Sequence, residues 1–77
     1  MDKETFKVVD ASGLRCPQPI IELQNAARSG GPGSLICLVS TDHGTLHDIP
    51  VWIKVNRHEL IETNKEKGSY YFYVKIK

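Results

Sequence analysis

Cysteine, aromatic residues and long apolar runs are scarce in this chain, and each scarcity closes off a class of protein. There are two cysteines, Cys16 and Cys37, and six aromatic side chains. No Cys-x-x-Cys pair exists, which argues against a dithiol oxidoreductase. Two thiols without a secretory leader are expected to stay reduced rather than bridged. No stretch approaches the roughly twenty apolar residues of a membrane span. The opening Met1-Asp2-Lys3-Glu4 is polar and lacks the apolar core of a signal peptide, so a cytoplasmic location is expected. Neither sign of charge dominates, with ten basic and nine acidic residues. Without a basic footprint, direct nucleic-acid binding is not expected. Seventy-seven residues predict one domain over 1–77, with a thin core and no deep cavity of its own. Chemistry then belongs at the surface, or in a complex with a larger partner.

What the chain does have is the run Gly13-Leu14-Arg15-Cys16-Pro17-Gln18-Pro19. Proline is poorly tolerated inside a helix, but its fixed φ and missing N–H suit the first helical position. Pro17 at that position puts Cys16 at the helix mouth, facing unpaired N–H groups and the positive end of the dipole. Such a setting is expected to lower a thiol pKa from about 8.5 towards neutrality, giving a nucleophilic thiolate. Arg15 beside it adds a positive charge of the right sign. Cysteine is a poor N-cap compared with Ser, Thr, Asp or Asn, so helix stability alone does not account for it. Cys37, inside the apolar run Leu35-Ile36-Cys37-Leu38-Val39, reads as a small buried hydrophobe.

The hydrophobic pattern predicts six elements. Phe6 to Asp10 is β-prone. Pro17 to Ser29 reads as a helix with an apolar stripe of Ile20, Leu23, Gln24 and Ala27, widened by Ile21. Gly30-Gly31-Pro32-Gly33 stops it, and Ser34 to Ser40 reads as a central strand. A second helix over Thr45 to Val55 is expected to bury Leu46, Ile49 and Ile53, with Trp52 near that stripe. Its cap is either Thr45 or Asp48, and Pro50 lies near its start. His58 to Glu66 and Tyr70 to Ile76 form a hairpin around Lys67-Gly68-Ser69. In its last strand Tyr70, Phe72, Val74 and Ile76 point one way; Tyr71, Tyr73, Lys75 and Lys77 point the other. The order β-α-β-α-β-β predicts an α/β two-layer sandwich with two helices on one face of a four-stranded mixed sheet. Right-handed crossovers put both helices on the same side when the strand order does not reverse between them.

Other candidate sites are weaker. His43 and His47 are four apart, but with His58 they match no zinc-ligand spacing, and no metal or cofactor is expected. Asp42-His43-Gly44 reads as a turn in which Asp accepts backbone bonds and Gly takes a positive φ. Asp48 is most simply a helix cap. The Tyr71, Tyr73 and Lys75 stripe is the one place where RNA bases would stack, although such a stripe is more often an ordinary strand face.

With those residues set out, the chain resembles the TusA/SirA-like family of small sulfur carriers over nearly its full length. The Asp-x-x-Gly-x-x-Cys-Pro-x-Pro pattern is present as Asp10, Gly13, Cys16, Pro17 and Pro19. Asp48-Ile49-Pro50 followed by Trp52, and His58-Glu59-Leu60 before the hairpin, extend the match. The resemblance implies the same sandwich fold and a Cys16 that accepts sulfane sulfur as a persulfide. The implied donor is a cysteine desulfurase or a rhodanese-like protein. The implied acceptor is a downstream protein in tRNA thiolation, cofactor biosynthesis or sulfur metabolism. A regulatory or protein-interaction module, with the thiol incidental, is the alternative from another class.

Overall fold

The structure, a computed structural model, describes residues 6–77. Its elements are β1 (Lys7–Ala11), α1 (Gln18–Gly30), β2 (Leu35–Ser40), α2 (Thr45–Val55), β3 (Glu59–Glu66) and β4 (Ser69–Lys75). The strands form one sheet in the order β1-β2-β4-β3. β1 runs parallel to β2, while β4 is antiparallel to both β2 and β3. Each helix-bearing connection steps across the sheet in the same direction. With right-handed crossovers both helices therefore cover one face.

That covered face holds the core. Ala11, Ile36, Leu38, Tyr70, Phe72, Val74 and Ile76 from the sheet meet Leu23, Ala26, Ala27, Ile49 and Ile53 from the helices. The period of two in β4 is clean: Tyr70, Phe72 and Val74 are buried, and the residues between them are half-buried. On α1 the buried stripe is Pro19, Leu23, Ala26 and Ala27. It is rotated slightly from the expected one, so Ile21 and Gln24 face solvent and Ile20 only borders the core. On α2, Thr45 is fully buried and Leu46 is 40% exposed, which reverses the expected burial of Leu46. Thr45 earns its place by donating its hydroxyl to the Asp42 carbonyl at 2.6 Å, so its polar atom is satisfied in the core.

The helix-free face is less open than the sequence pattern predicts. Cys37 lies on it opposite Tyr73, and is buried. The Phe6 ring stands edge-on to Tyr73 with centroids 5.1 Å apart, in the geometry favoured by aromatic quadrupoles. Tyr71, Tyr73 and Lys75 are half-buried, while Lys77 is exposed and pairs with Glu59 at 3.5 Å. Such an exposed pair contributes little to stability.

Candidate functional site

Parallel pairing of β1 and β2 makes both strands end on the same edge of the sheet, so the loops that follow them emerge side by side. The loop after β1 carries the cysteine motif, and the loop after β2 carries Thr41 to Gly44. Hydrogen bonds strap one to the other. The Gly13 N–H donates to Thr41 Oγ1 at 2.8 Å, and the Cys16 N–H donates to Asp42 Oδ2 at 3.0 Å. Gly13 has φ +81°, a left-handed conformation that favours glycine. Within the motif loop, Leu14 N–H bonds back to the Ala11 carbonyl and Gln18 N–H to the Arg15 carbonyl. Asp10 accepts the Ser12 N–H at 2.9 Å. Hydrogen bonds from the Ser12 side chain and backbone hold its carboxyl below the ordinary value. Asp10 thus closes the turn leaving β1.

The helix start differs from the expected one by a residue. Pro17 is the N-cap of α1, its carbonyl accepting the Ile21 N–H, and Pro19, within the first turn, is fully buried. The Cys16–Pro17 peptide bond is cis. Cys16 consequently precedes the cap instead of occupying the helix mouth.

Its sulfur faces an acid. Cys16 Sγ lies 2.8 Å from Asp48 Oδ2, within the first turn of α2. This overturns the expectation of a pre-formed thiolate. The hydrogen bond to Asp48 comes first, followed by burial and the charges of Asp48 and Asp42, and together these push the Cys16 thiol up to about 11. A helix N-terminus supplies about half a positive charge, which two carboxylates outweigh. Arg15 is exposed and forms no ion pair among the described residues, so the expected stabilisation of a Cys16 anion by Arg15 and the helix start is not what the geometry provides. At neutral pH the resting group is a thiol that donates to a carboxylate.

Asp48 is therefore not a cap. The N-cap of α2 is Gly44, which has a helical φ of −62° rather than the expected positive one, and no side chain caps this end. Asp48 also lines an open, mainly apolar hollow of about 310 Å³ with Ile20, Val51, Trp52, Val55 and Asn56. The histidines are dispersed. His43 Nδ1 meets the Tyr70 hydroxyl at 2.7 Å, His58 lies against Trp52, and His47 is exposed. Among the described residues no three His, Cys, Asp or Glu side chains converge as a metal site. Neither cysteine is in a disulfide.

Missing from the sequence reading was Asp48 as the partner of Cys16, thirty-two residues away. Its presence in the Asp-Ile-Pro run was the available signal, but only the pairing of β1 with β2 brings the two together.

Fold and site define a class: a small α/β sandwich that presents one half-exposed thiol on the loops at one edge of its sheet. The comparisons agree. The family profile described as "Sulfurtransferase TusA" matches residues 7–76. A "Sulfur carrier protein TusA" of Pseudomonas paraeruginosa (strain DSM 24068 / PA7) is 39% identical over 70 residues, covering 91% of this chain and 89% of the relative. One from Pseudomonas putida (strain W619) is 34% identical, covering 91% and 88%. Another, from Pseudomonas fluorescens (strain SBW25), is 34% identical, covering 87% and 81%. The chain belongs to the TusA sulfurtransferase family.

Proposed function

We propose that this protein is a sulfur carrier that takes sulfane sulfur as a persulfide on Cys16 and relays it to the thiol of another protein. The observation that carries this reading is the contrast between its two thiols. Cys16 is half-exposed on a loop beside a carboxylate, and Cys37 is buried within the sheet. Membership of the TusA family supports the same reading. The donor is a cysteine desulfurase or a rhodanese-like protein, and the acceptor a protein serving tRNA thiolation, cofactor biosynthesis or sulfur metabolism. These partners place the work in the cytoplasm. Asp10, Gly13, Pro17 and Pro19 shape the loop that presents the thiol, and the whole of 1–77 acts as one unit. Among the described residues no helix is long and apolar enough to cross a membrane.

The test is intact-mass spectrometry after incubation with a cysteine desulfurase and cysteine. Wild type and Cys16-containing Cys37→Ser protein gain one sulfur, about 32 Da, on a nucleophilic thiol. Cys16→Ser gains none, and equal loading of that variant would refute the assignment.

A further inference from the structure

Sulfur transfer to a thiol requires that the thiol lose its proton, and the Cys16 sulfur lies 2.8 Å from a carboxylate oxygen of Asp48. We propose that Asp48 is the catalytic proton relay of this site: it takes the Cys16 proton as sulfur arrives and returns it to the departing thiolate. The inference rests on the sulfur-acceptance reading above and adds the residue that makes it workable.

The geometry supplies three grounds. Asp48 Oδ2 is 2.8 Å from Sγ, inside the distance at which a proton passes between a base and a reacting group. Asp48 is not the N-cap, which is Gly44 without a side-chain bond, and its Oδ2 is engaged with the thiol instead. Asp48 also borders the hollow between Ile20, Val51, Trp52, Val55 and Asn56, so the residue that receives the proton stands beside space open to an incoming group. Asp42 is fixed differently, accepting the Cys16 backbone N–H at 3.0 Å, and acts on the sulfur more weakly than Asp48, through its charge and a lesser side-chain hydrogen bond. The charged groups around Sγ are therefore Asp48 from α2, Asp42 from the loop before it, and the exposed Arg15 next in sequence. His43 is engaged with the Tyr70 hydroxyl.

The step balances without an added oxidant. Cys16 Sγ passes its proton to Asp48 and attacks the outer sulfur of a donor persulfide, R–S–SH. A new S–S bond forms at Cys16 as the donor S–S bond breaks, and the electron pair of that bond leaves on the donor sulfur. Asp48 then protonates that thiolate. The sum is Cys16–SH plus R–S–SH giving Cys16–S–SH plus R–SH, with the transferred sulfur unchanged in oxidation state and Asp48 regenerated.

The same arrangement explains why the resting thiol is kept protonated. Two carboxylates disfavour a standing anion, so the nucleophile exists only as its proton is handed over. Removing Asp48 then has opposite effects on two reactions of one sulfur. Alkylation by iodoacetamide needs thiolate and no proton return. Transfer from a persulfide needs both.

The experiment uses glutathione persulfide as the probe and follows the sulfur adduct by intact mass, alongside iodoacetamide alkylation, from pH 6 to 10. In Asp48→Asn, alkylation at pH 7.5 rises by about tenfold as the thiol acidity returns towards its ordinary range. Loading from glutathione persulfide falls by about a hundredfold, the lower range for loss of a general acid–base group. It also acquires a rise with pH that wild type does not show. Asp48→Glu, which keeps the carboxylate, regains most of the loading. Loading of Asp48→Asn that equals wild type, or that rises in step with its alkylation, overturns the relay while leaving the carrier reading intact. Loss of both reactions together with a lowered melting temperature also overturns it, in favour of a structural role. Loading of Cys16→Ser as fast as wild type strikes at the carrier reading instead.

Discussion

Cys37 and Cys16 are restrained by different means. Cys37 sits in the middle of β2, opposite Tyr73 and next to Val8, where the sheet keeps reagents away from the sulfur. Cys16 is reachable, and what restrains it is charge: a carboxylate on its sulfur and a second on its backbone N–H. A burial restraint yields only when the fold opens. A charge restraint yields to one proton transfer. A thiol that reacts on demand, as the proposed carrier role asks of Cys16, is better served by the second.

The contrast can be broken at either end. The largest effect is expected for Cys37, whose alkylation in the native protein is slowed by roughly a thousandfold or more relative to urea-unfolded chain, because reaction waits on opening of a core strand. Mass mapping of iodoacetamide adducts with and without urea measures it, and comparable labelling in both states would remove the burial argument. Next comes Phe72→Ala, which empties the centre of the core from a fully buried position. It costs about 3–5 kcal/mol, read from urea melts, and exposes Cys37 to reagent far more than it alters Cys16.

A smaller change comes from pH. Because folding raises the Cys16 pKa above its ordinary value of 9.0, the thiol–carboxylate contact stabilises the protein fully below pH 9 and is lost as pH rises towards 11. Wild type loses more stability over that interval than Asp48→Asn, a difference that paired urea melts at pH 8 and pH 10.5 record. Asp42→Ala has the smallest effect. It removes the acceptor of the Cys16 N–H and one negative charge, costing about 1 kcal/mol of stability. It also lowers the pH of half-maximal alkylation without abolishing loading.

Much of the fold was legible because its cues are local. Alternation along Tyr70 to Ile76, the Gly-Pro-Gly stop after α1 and the turn at Gly68 each act over a few residues, and each lies where expected. The cysteine was legible for the same reason, since the prolines around it mark a helix start within four positions. Its acidity was not. The expected thiolate rests on Arg15 and the nearest helix, whereas Asp42 and Asp48 reach the sulfur from beyond another strand. Leu46 and Thr45 teach a similar lesson at smaller scale: helical spacing identified an apolar face, but a hydroxyl with a backbone partner took the buried place.

The parallel pairing of β1 with β2 has one more consequence. The carboxylates that restrain Cys16 belong to the chain that follows β2, so they are not beside the sulfur until both strands are in register. A nascent or unfolded chain carries two thiols of ordinary acidity, open to any electrophile. Folding mutes both at once, one by enclosure and one by the arrival of acid. The restraint on this protein's sulfur is thereby a property of the assembled chain, acquired only when the loop after β2 and the first turn of α2 have been placed.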